Sequence, residues 1–472
     1  MTTRLTEALR GLADGVPPAV VPEELFDVAR AQHRRRRATA AGALAVLVLL
    51  LGTGYALRPV ALPAPAAPRF DAPGLPSRFV APPLRTATVQ DSAPGAAAML
   101  FGGPAVRTDW HETRLGVVAA DADRYRVLDA GHQVPGFDAL LSPDGRYVWT
   151  GRRLLDLTSA RSTPDVLDGY PLAFAPDGVR LAYADDDATF TPPNTYATPY
   201  VGVYDRERRT DVLRIPVGTA WIPPGRTAAL SPDGGEVALQ VRDEVWLTRV
   251  SDAGPDRTAE PYRKLPLAGG RLAGAGSWSA DGRSVAVLER SRCTNCPVPA
   301  YPRTWRLATR ATADGAPQAG PVFPELRSRT YVQLLGWRSA DEAVALVGVP
   351  GREAVDRPEE HDIAWGPYHE PGTDAVELVV LRRGASAPEV LLRTPAGITD
   401  LSVAADLALD GAVRESGQPD YGPLPYWLVA LGLLGTAAVA VPLLVLFGRW
   451  RSRRSGSRPR KAVRRPGPAA PG

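Results

Sequence analysis

The stretch Leu140-Leu141-Ser142-Pro143-Asp144-Gly145-Arg146-Tyr147-Val148-Trp149 decides how this chain folds. Pro143 presets φ for the first corner of a turn, Asp144 bonds its own backbone, and Gly145 takes the left-handed position. An apolar run, a tight turn and a second apolar run make a β-hairpin. The turn returns as Ala175-Pro176-Asp177-Gly178, Ser231-Pro232-Asp233-Gly234 and Ser279-Ala280-Asp281-Gly282, at spacings of 33, 56 and 48 residues. One supersecondary unit is therefore copied along the chain, and an all-β propeller is the architecture that accommodates such copies.

Working outward, a complete unit reads strand, turn, strand, loop, strand, turn, strand. The first runs from Phe137 through Tyr147-Val148-Trp149 and Leu154 to Leu157, ending at Val166-Leu167. The second holds Leu172 to Phe174, Leu181 to Tyr183, Val201 to Tyr204 and Val212-Leu213. The third holds Ala228 to Leu230, Val237 to Leu239, Val245 to Leu247 and Lys264-Leu265. Degenerate copies of the turn follow at Trp337-Arg338-Ser339-Ala340-Asp341 and Leu401-Ser402-Val403-Ala404-Ala405-Asp406. The segment from Leu115 to Leu128 predicts two outer strands with no inner motif ahead of them. The motif at 401 predicts inner strands with no outer ones after them. Together they complete one blade and shut the ring, which leaves no unpaired sheet edge. Six blades is the simplest count, and seven follows if Thr86 to Gly102 forms inner strands of its own.

The units lie between two uncharged apolar stretches, Thr39 to Leu57 and Tyr426 to Gly448. About 20 apolar helical residues cross a bilayer. Arg34 to Arg37 abut the first stretch on its N-terminal side, and Arg449, Arg451, Arg453 and Arg454 abut the second on its C-terminal side. Positive flanks stay in the cytoplasm, so the expectation is a two-pass plasma-membrane protein with both termini inside and the propeller outside. A region of 38 residues ahead of the first stretch is long for a cleaved signal peptide and favours an uncleaved anchor. The formal charge of +4 hides an uneven distribution: +2 over residues 1–57, +9 over 449–472, and by subtraction about −7 over the middle. The basic tail adjoins a span and has no aromatic after Trp450, so orientation and anionic lipid explain it without nucleic acid.

The expected organisation is a cytoplasmic helical segment at 1–38, a transmembrane helix at 39–57, a Pro-rich linker at 58–84, the propeller at 85–412, a second linker at 413–425, a transmembrane helix at 426–448 and a basic cytoplasmic tail at 449–472. Residues 59–83 contain eight prolines and read as a semi-rigid spacer. Residues 1–38 are too few to hold a core. They either engage a cytoplasmic regulator or only lead into the membrane.

The copied hairpins resemble the PD40 repeats of the WD40-like, TolB-type propeller superfamily, over roughly 330 residues of this sequence. The order of cytoplasmic segment, span, propeller and span is similar to that of actinobacterial membrane proteins. The resemblance implies the fold, and it implies a platform that binds proteins. A fold of this kind hosts many functions.

In such a blade the turn joins the first and second strands, so the second-to-third loops emerge at the opposite end. Three are long: Asp185 to Pro199, Ser291 to Thr304 and Pro350 to Asp374. They carry Phe190, Tyr196, Tyr301, Trp365 and Tyr368, and Trp221 sits in a connection that reaches the same end. Aromatics gathered from several blades are the composition of a binding surface; the other reading is that each ring packs over its own blade. Cys293 and Cys296 lie in one of these loops, followed by Pro297 and Pro299, and outside a cell they are expected to form a small disulfide. One such pair does not complete a zinc site. His361-Asp362 and His369-Glu370, with Glu359 and Glu360, crowd another loop at a spacing that fits no metal motif, so no metal or cofactor is expected there. Asp185-Asp186-Asp187 lacks the alternation of a calcium loop.

The sequence has no Gly-x-Ser-x-Gly elbow, no paired-His zincin helix and no phosphate loop. No catalytic residue is assigned. The expectation is a non-catalytic scaffold that binds a protein or an envelope component. The rivals are a signalling protein acting through residues 1–38 and an envelope enzyme with a site assembled from loop residues.

Overall fold

In the computed structural model the copied turn follows from its residues. In all four copies the glycine amide donates to the carbonyl three residues back, from Gly145 to Ser142 and from Gly178 to Ala175 at 2.9 Å, from Gly234 to Ser231 at 2.8 Å and from Gly282 to Ser279 at 2.9 Å. These glycines have φ between 66° and 70°. The aspartate carboxylate accepts the amide two residues on, from Arg146, Val179, Gly235 and Arg283. Where the turn begins with serine, the hydroxyl donates to that carboxylate at 2.6 Å and accepts the amide five residues on. Each serine thus pins both arms of its hairpin. The serine hydroxyl first, and the neighbouring amide after it, hold the carboxyls of Asp233 and Asp281 below their ordinary value of 3.8.

The structure describes residues 72–423, apart from 107–113, 130–132, 152, 164–166, 168, 186–199, 219, 221, 223–225, 251–257, 268, 293–302, 319–321 and 357–371, together with Glu7 and scattered residues between 432 and 446. By contacts the chain divides into two compact units, Pro63–Pro425 and a second one made of Met1–Leu62 with Tyr426–Gly472. Among the described residues no helix is long and apolar enough to cross a membrane; the stretch 39–57 and most of 426–448 lie outside them.

The larger unit is a six-bladed β-propeller. After the short β1 (Leu75–Pro76), the strands β2 (Ala97–Gly102), β3 (Arg114–Ala119) and β4 (Tyr125–Asp129) begin blade 1. Blade 2 is β5 (Ala139–Leu141), β6 (Tyr147–Thr150), β7 (Arg153–Asp156) and β8 (Arg161–Thr163). Blade 3 is β9 (Gly169–Phe174), β10 (Arg180–Asp185), β11 (Tyr200–Asp205) and β12 (Thr210–Pro216). Blade 4 is β13 (Ala228–Leu230), β14 (Glu236–Val241), β15 (Glu244–Arg249) and β16 (Arg263–Pro266). Blade 5 is β17 (Arg271–Leu272), β18 (Ser284–Arg292), β19 (Arg303–Ala311) and β20 (Leu326–Arg327). Blade 6 is β21 (Val332–Ser339), β22 (Glu342–Pro350), α1 (Arg352–Asp356), β23 (Thr373–Arg382) and β24 (Glu389–Arg393). Then β25 (Asp400–Val403) returns to the inner edge of blade 1. It is followed by α2 (Ala405–Asp410), closed by Gly411 in the left-handed conformation, and by β26 (Val413–Arg414).

Three expectations change. Thr86 to Gly102 does not start a seventh blade, because β2 is paired on both edges, with β25 and with β3. The motif at 401 supplies one inner strand and then a helix, not a hairpin, because its second strand comes from the N-terminal side of the chain. Also, the fourth strand of blade 2 is the exposed Arg161–Thr163 rather than Val166-Leu167. An outermost strand faces water and has no need of an apolar pattern.

Six hydrophobic clusters fill the six gaps between neighbouring blades. Leu172 and Val203 of blade 3 meet Leu230 and Val237 of blade 4 in one of them. Both faces of each blade are buried this way, so β2 is buried at all six positions and shows no alternation.

All six inner strands run the same way, four of them toward the copied turns. That defines a turn end and, opposite it, a loop end. The seam of the ring is strengthened at the turn end of blade 1, where β1 and β26 pair in parallel. Arg414 is buried there; its guanidinium pairs with Asp123 and donates to the carbonyls of Ala119, Ala120 and Ala122. Ser77 and Ser416 bond side by side, and Arg126 holds both the carbonyl and the carboxylate of Asp420. Leu75 and Phe79 enter the core between blades 6 and 1, Phe79 with its ring 5.1 Å from that of Phe101.

Candidate functional site

The axis of the propeller offers two sites of unlike character. At the loop end the residues just ahead of the inner strands close the channel. Arg226 reaches from blade 4 and lies between two rings, its Cζ 4.1 Å from the centroid of Phe137 of blade 2 and 4.0 Å from that of Tyr331 of blade 6. Every second blade thus contributes one member of the stack. A guanidinium between rings away from water gains about 2 kcal/mol. Arg271 at the start of β17 stacks 4.3 Å from the Trp305 ring and donates to the Val332 carbonyl at 2.9 Å. Arg303 at the start of β19 donates to the Thr330 carbonyl at 3.1 Å. All three arginines are buried, which marks this end as a polar, aromatic-rich layer.

The aromatics expected to form a binding surface, Phe190, Tyr196, Trp221, Tyr301, Trp365 and Tyr368, lie outside the described residues, as do Cys293, Cys296, His361 and His369. All but Trp221, which falls between β12 and β13, belong to the stretches that join β10 to β11, β18 to β19 and β22 to β23, and the described strand ends flanking those stretches lie at the loop end. Described residues beside the first connection form a network: Tyr183 donates to Asp211 at 2.9 Å, Arg214 pairs with the same carboxylate at 3.0 Å, and Tyr200 sits edge-on to Tyr183. Burial first, and the Asp211 charge after it, push the Tyr183 hydroxyl far above the usual tyrosine range. That hydroxyl stays a proton donor. Among the described residues no three His, Cys, Asp or Glu gather to hold a metal.

At the turn end the same axis opens into a cavity of about 210 Å³. Six large apolar residues line it, one from each blade: Leu141, Phe174, Leu230 and Val403 at the ends of their inner strands, Trp278 in the segment after β17, and Trp337 within β21. Pro143, Pro176 and Pro232 of the copied turns form the rim. The two indole N–H groups are already engaged: Trp278 donates to the Ala229 carbonyl at 3.1 Å and Trp337 to the Gly276 carbonyl at 3.0 Å. Each tryptophan so pins its blade to the one before it. Gln333, 5% exposed, belongs to the cavity wall from its deep side, and its Oε1 is enclosed without a hydrogen-bond partner among the described residues. An enclosed acceptor left unmade costs about 1–3 kcal/mol. Asp406 of α2 stands at the mouth. Desolvation, then the charges of Asp144 and Asp410, push its carboxyl above the usual range.

Sequence reasoning did not find the Arg226 stack or the cavity. The ring had a readable signal: a large apolar residue immediately precedes the Ser or Ala that opens each of the four turns. The stack had none, since its members come from distant repeats and share no motif.

No protein-family model and no curated protein matches the chain. Among solved structures, hydrazine synthase of Kuenenia stuttgartiensis is similar at 15% identity, over 55% of this chain and 66% of that one, with a TM-score of 0.33. TolB of Acinetobacter baumannii is similar at 14% identity, over 65% of each chain, with a TM-score of 0.33. A putative TolB of Agrobacterium tumefaciens is similar at 13% identity, over 64% of this chain and 90% of that one, with a TM-score of 0.34. The chain spans just under two thirds of the first two proteins. Identities and scores this low say nothing about activity, substrate or partner.

Proposed function

We propose that the chain is a two-pass plasma-membrane protein that displays its propeller outside the cytoplasm as a non-catalytic platform for a protein or another envelope component. One observation carries this reading: stems and long loops attach at opposite ends. Residues 74–78 and 412–422, which lead to the two apolar stretches, are fixed at the turn end of blade 1. The three long connections leave from the loop end. A domain held by its stems at one end presents the other outward. The described residues between 432 and 446 are helical, and Leu434, Leu443 and Leu446 are exposed, in keeping with a helix that faces lipid. Arginine and aromatic residues, which line the loop end, are enriched where proteins meet.

Protease added to intact protoplasts carrying a tag at each terminus is expected to cut between residues 58 and 425 and spare both tags. An untouched middle with accessible tags overturns the topology. Photo-crosslinkers at Tyr301 and Trp365 are expected to capture an envelope component from intact cells, and crosslinkers on the turn end are not. Turnover of a small molecule with no captured partner replaces the platform with an enzyme.

A further inference from the structure

We infer that the cavity at the turn end is a binding site for a small neutral aromatic ligand carrying a single N–H or O–H donor. This goes beyond the platform reading, which puts the partner at the other end of the molecule. Size sets the first limit. An enclosed apolar cavity of about 150 Å³ holds benzene, so one of about 210 Å³ has room for two fused rings. The walls set the second. Each blade supplies an apolar side chain, and because the indole N–H groups of Trp278 and Trp337 are spent on neighbouring blades, both present only their rings. Rings of this kind favour an aromatic guest in edge-on or offset contact.

Charge sets the third limit. Asp406 lines the mouth beside Asp144 and Asp410, which disfavours anions, and Arg226 is not part of the wall. The last limit is Gln333, a wall residue whose Oε1 is itself buried. Gln333 Oε1 has no donor among the described residues, and the Gln333 side chain belongs to the cavity wall. A guest that brings one donor satisfies it by a turn of the side-chain amide. A guest without one leaves it unmet, and a guest with two buries a polar group of its own.

The test uses the full-length protein in lipid nanodiscs, with empty discs subtracted, and measures equilibrium dialysis of labelled indole and of N-methylindole. The expected result is one indole per chain, with N-methylindole about five-fold weaker because it lacks the donor. In Gln333→Leu the two probes are expected to bind alike, and in Leu230→Trp, which fills the cavity, neither binds. No saturable indole binding, or equal affinities of the two probes for the unaltered protein, overturns the assignment. So does indole binding that survives Leu230→Trp. The comparison of the two probes on the unaltered protein stands even where a variant fails to fold.

Discussion

The two ends of the axial channel are made from the same six inner strands by different means. The turn end is repetitive: four near-identical turns, a proline rim, and one apolar side chain per blade. The loop end is not. There Phe137, Arg226 and Tyr331 occupy comparable places in three blades and are three different residue types. Repetition fixes the geometry of the ring where a turn engages the blade before it, as the Gly145 carbonyl does with the Ala97 amide at 2.7 Å and the Gly234 carbonyl with Arg180 at 2.6 Å. Differences among repeats leave room for chemistry, because blades 2, 4 and 6 bring three different groups together there. The contrast explains how one end stays open as an apolar cup while the other is plugged by an arginine.

Substitutions separate the two ends by size of effect. The largest loss is expected from Arg414→Ala at the seam of the turn end, about 3–5 kcal/mol, since it strands the buried Asp123 without its partner. Urea unfolding checks it, and a loss under about 1 kcal/mol sinks the view that this pair holds the seam. Gly145→Val comes next at about 3 kcal/mol: its Cβ would stand 2.0 Å from the Ala97 carbonyl and its φ is +70°. Gly282→Ala, with the same φ preference and open space around it, should cost about 1 kcal/mol. Equal costs at the two glycines refute the idea that the Gly145 turn presses on blade 1. At the loop end, Arg226→Ala is expected to lose about 2 kcal/mol, with Arg226→Lys recovering only part because an ammonium does not stack on two faces. Full recovery by lysine shows that charge alone matters there.

The smallest effect is in acid. Asp233 and Asp281 titrate below their ordinary 3.8 in the folded protein. Their contribution is therefore present above 3.8 and fades as pH falls through the folded values. Both carboxylates are largely exposed, so solvent screens them and each contribution is a few tenths of a kcal/mol. Ser231→Ala and Ser279→Ala are expected to narrow the gap between urea midpoints at neutral pH and below 3.8. An unchanged gap shows that the serine hydroxyls do not hold those carboxyls down.

Most of the ring was legible because its signals are local. A turn of Ser, Pro, Asp and Gly states its own dihedrals, and its flanking apolar runs state the strands. What stayed hidden depends on partners far along the chain. Arg161-Ser162-Thr163 became an outer strand through backbone pairing with β7 alone, which leaves no mark on side-chain pattern. Leu401 to Asp406 looked like another hairpin, yet its strand found a partner at Met99 to Gly102, and the chain was free to turn helical. Arg226 looked like any loop arginine, because only the fold brings it between Phe137 and Tyr331.

The parallel pairing of β1 with β26 has a mechanical consequence. A pull on residue 74 and a pull on residue 415 act at opposite ends of the pair. They therefore load its hydrogen bonds, from Leu75 to the Ala412 carbonyl and from Ser77 to the Arg414 carbonyl, in shear. Bonds in shear must fail together, whereas those of a peeled hairpin fail one after another. Tension arriving along the two stems would thus be shared between the sheared clasp and the bonds that tie Asp420 to Asp123, Tyr125 and Arg126 of blade 1.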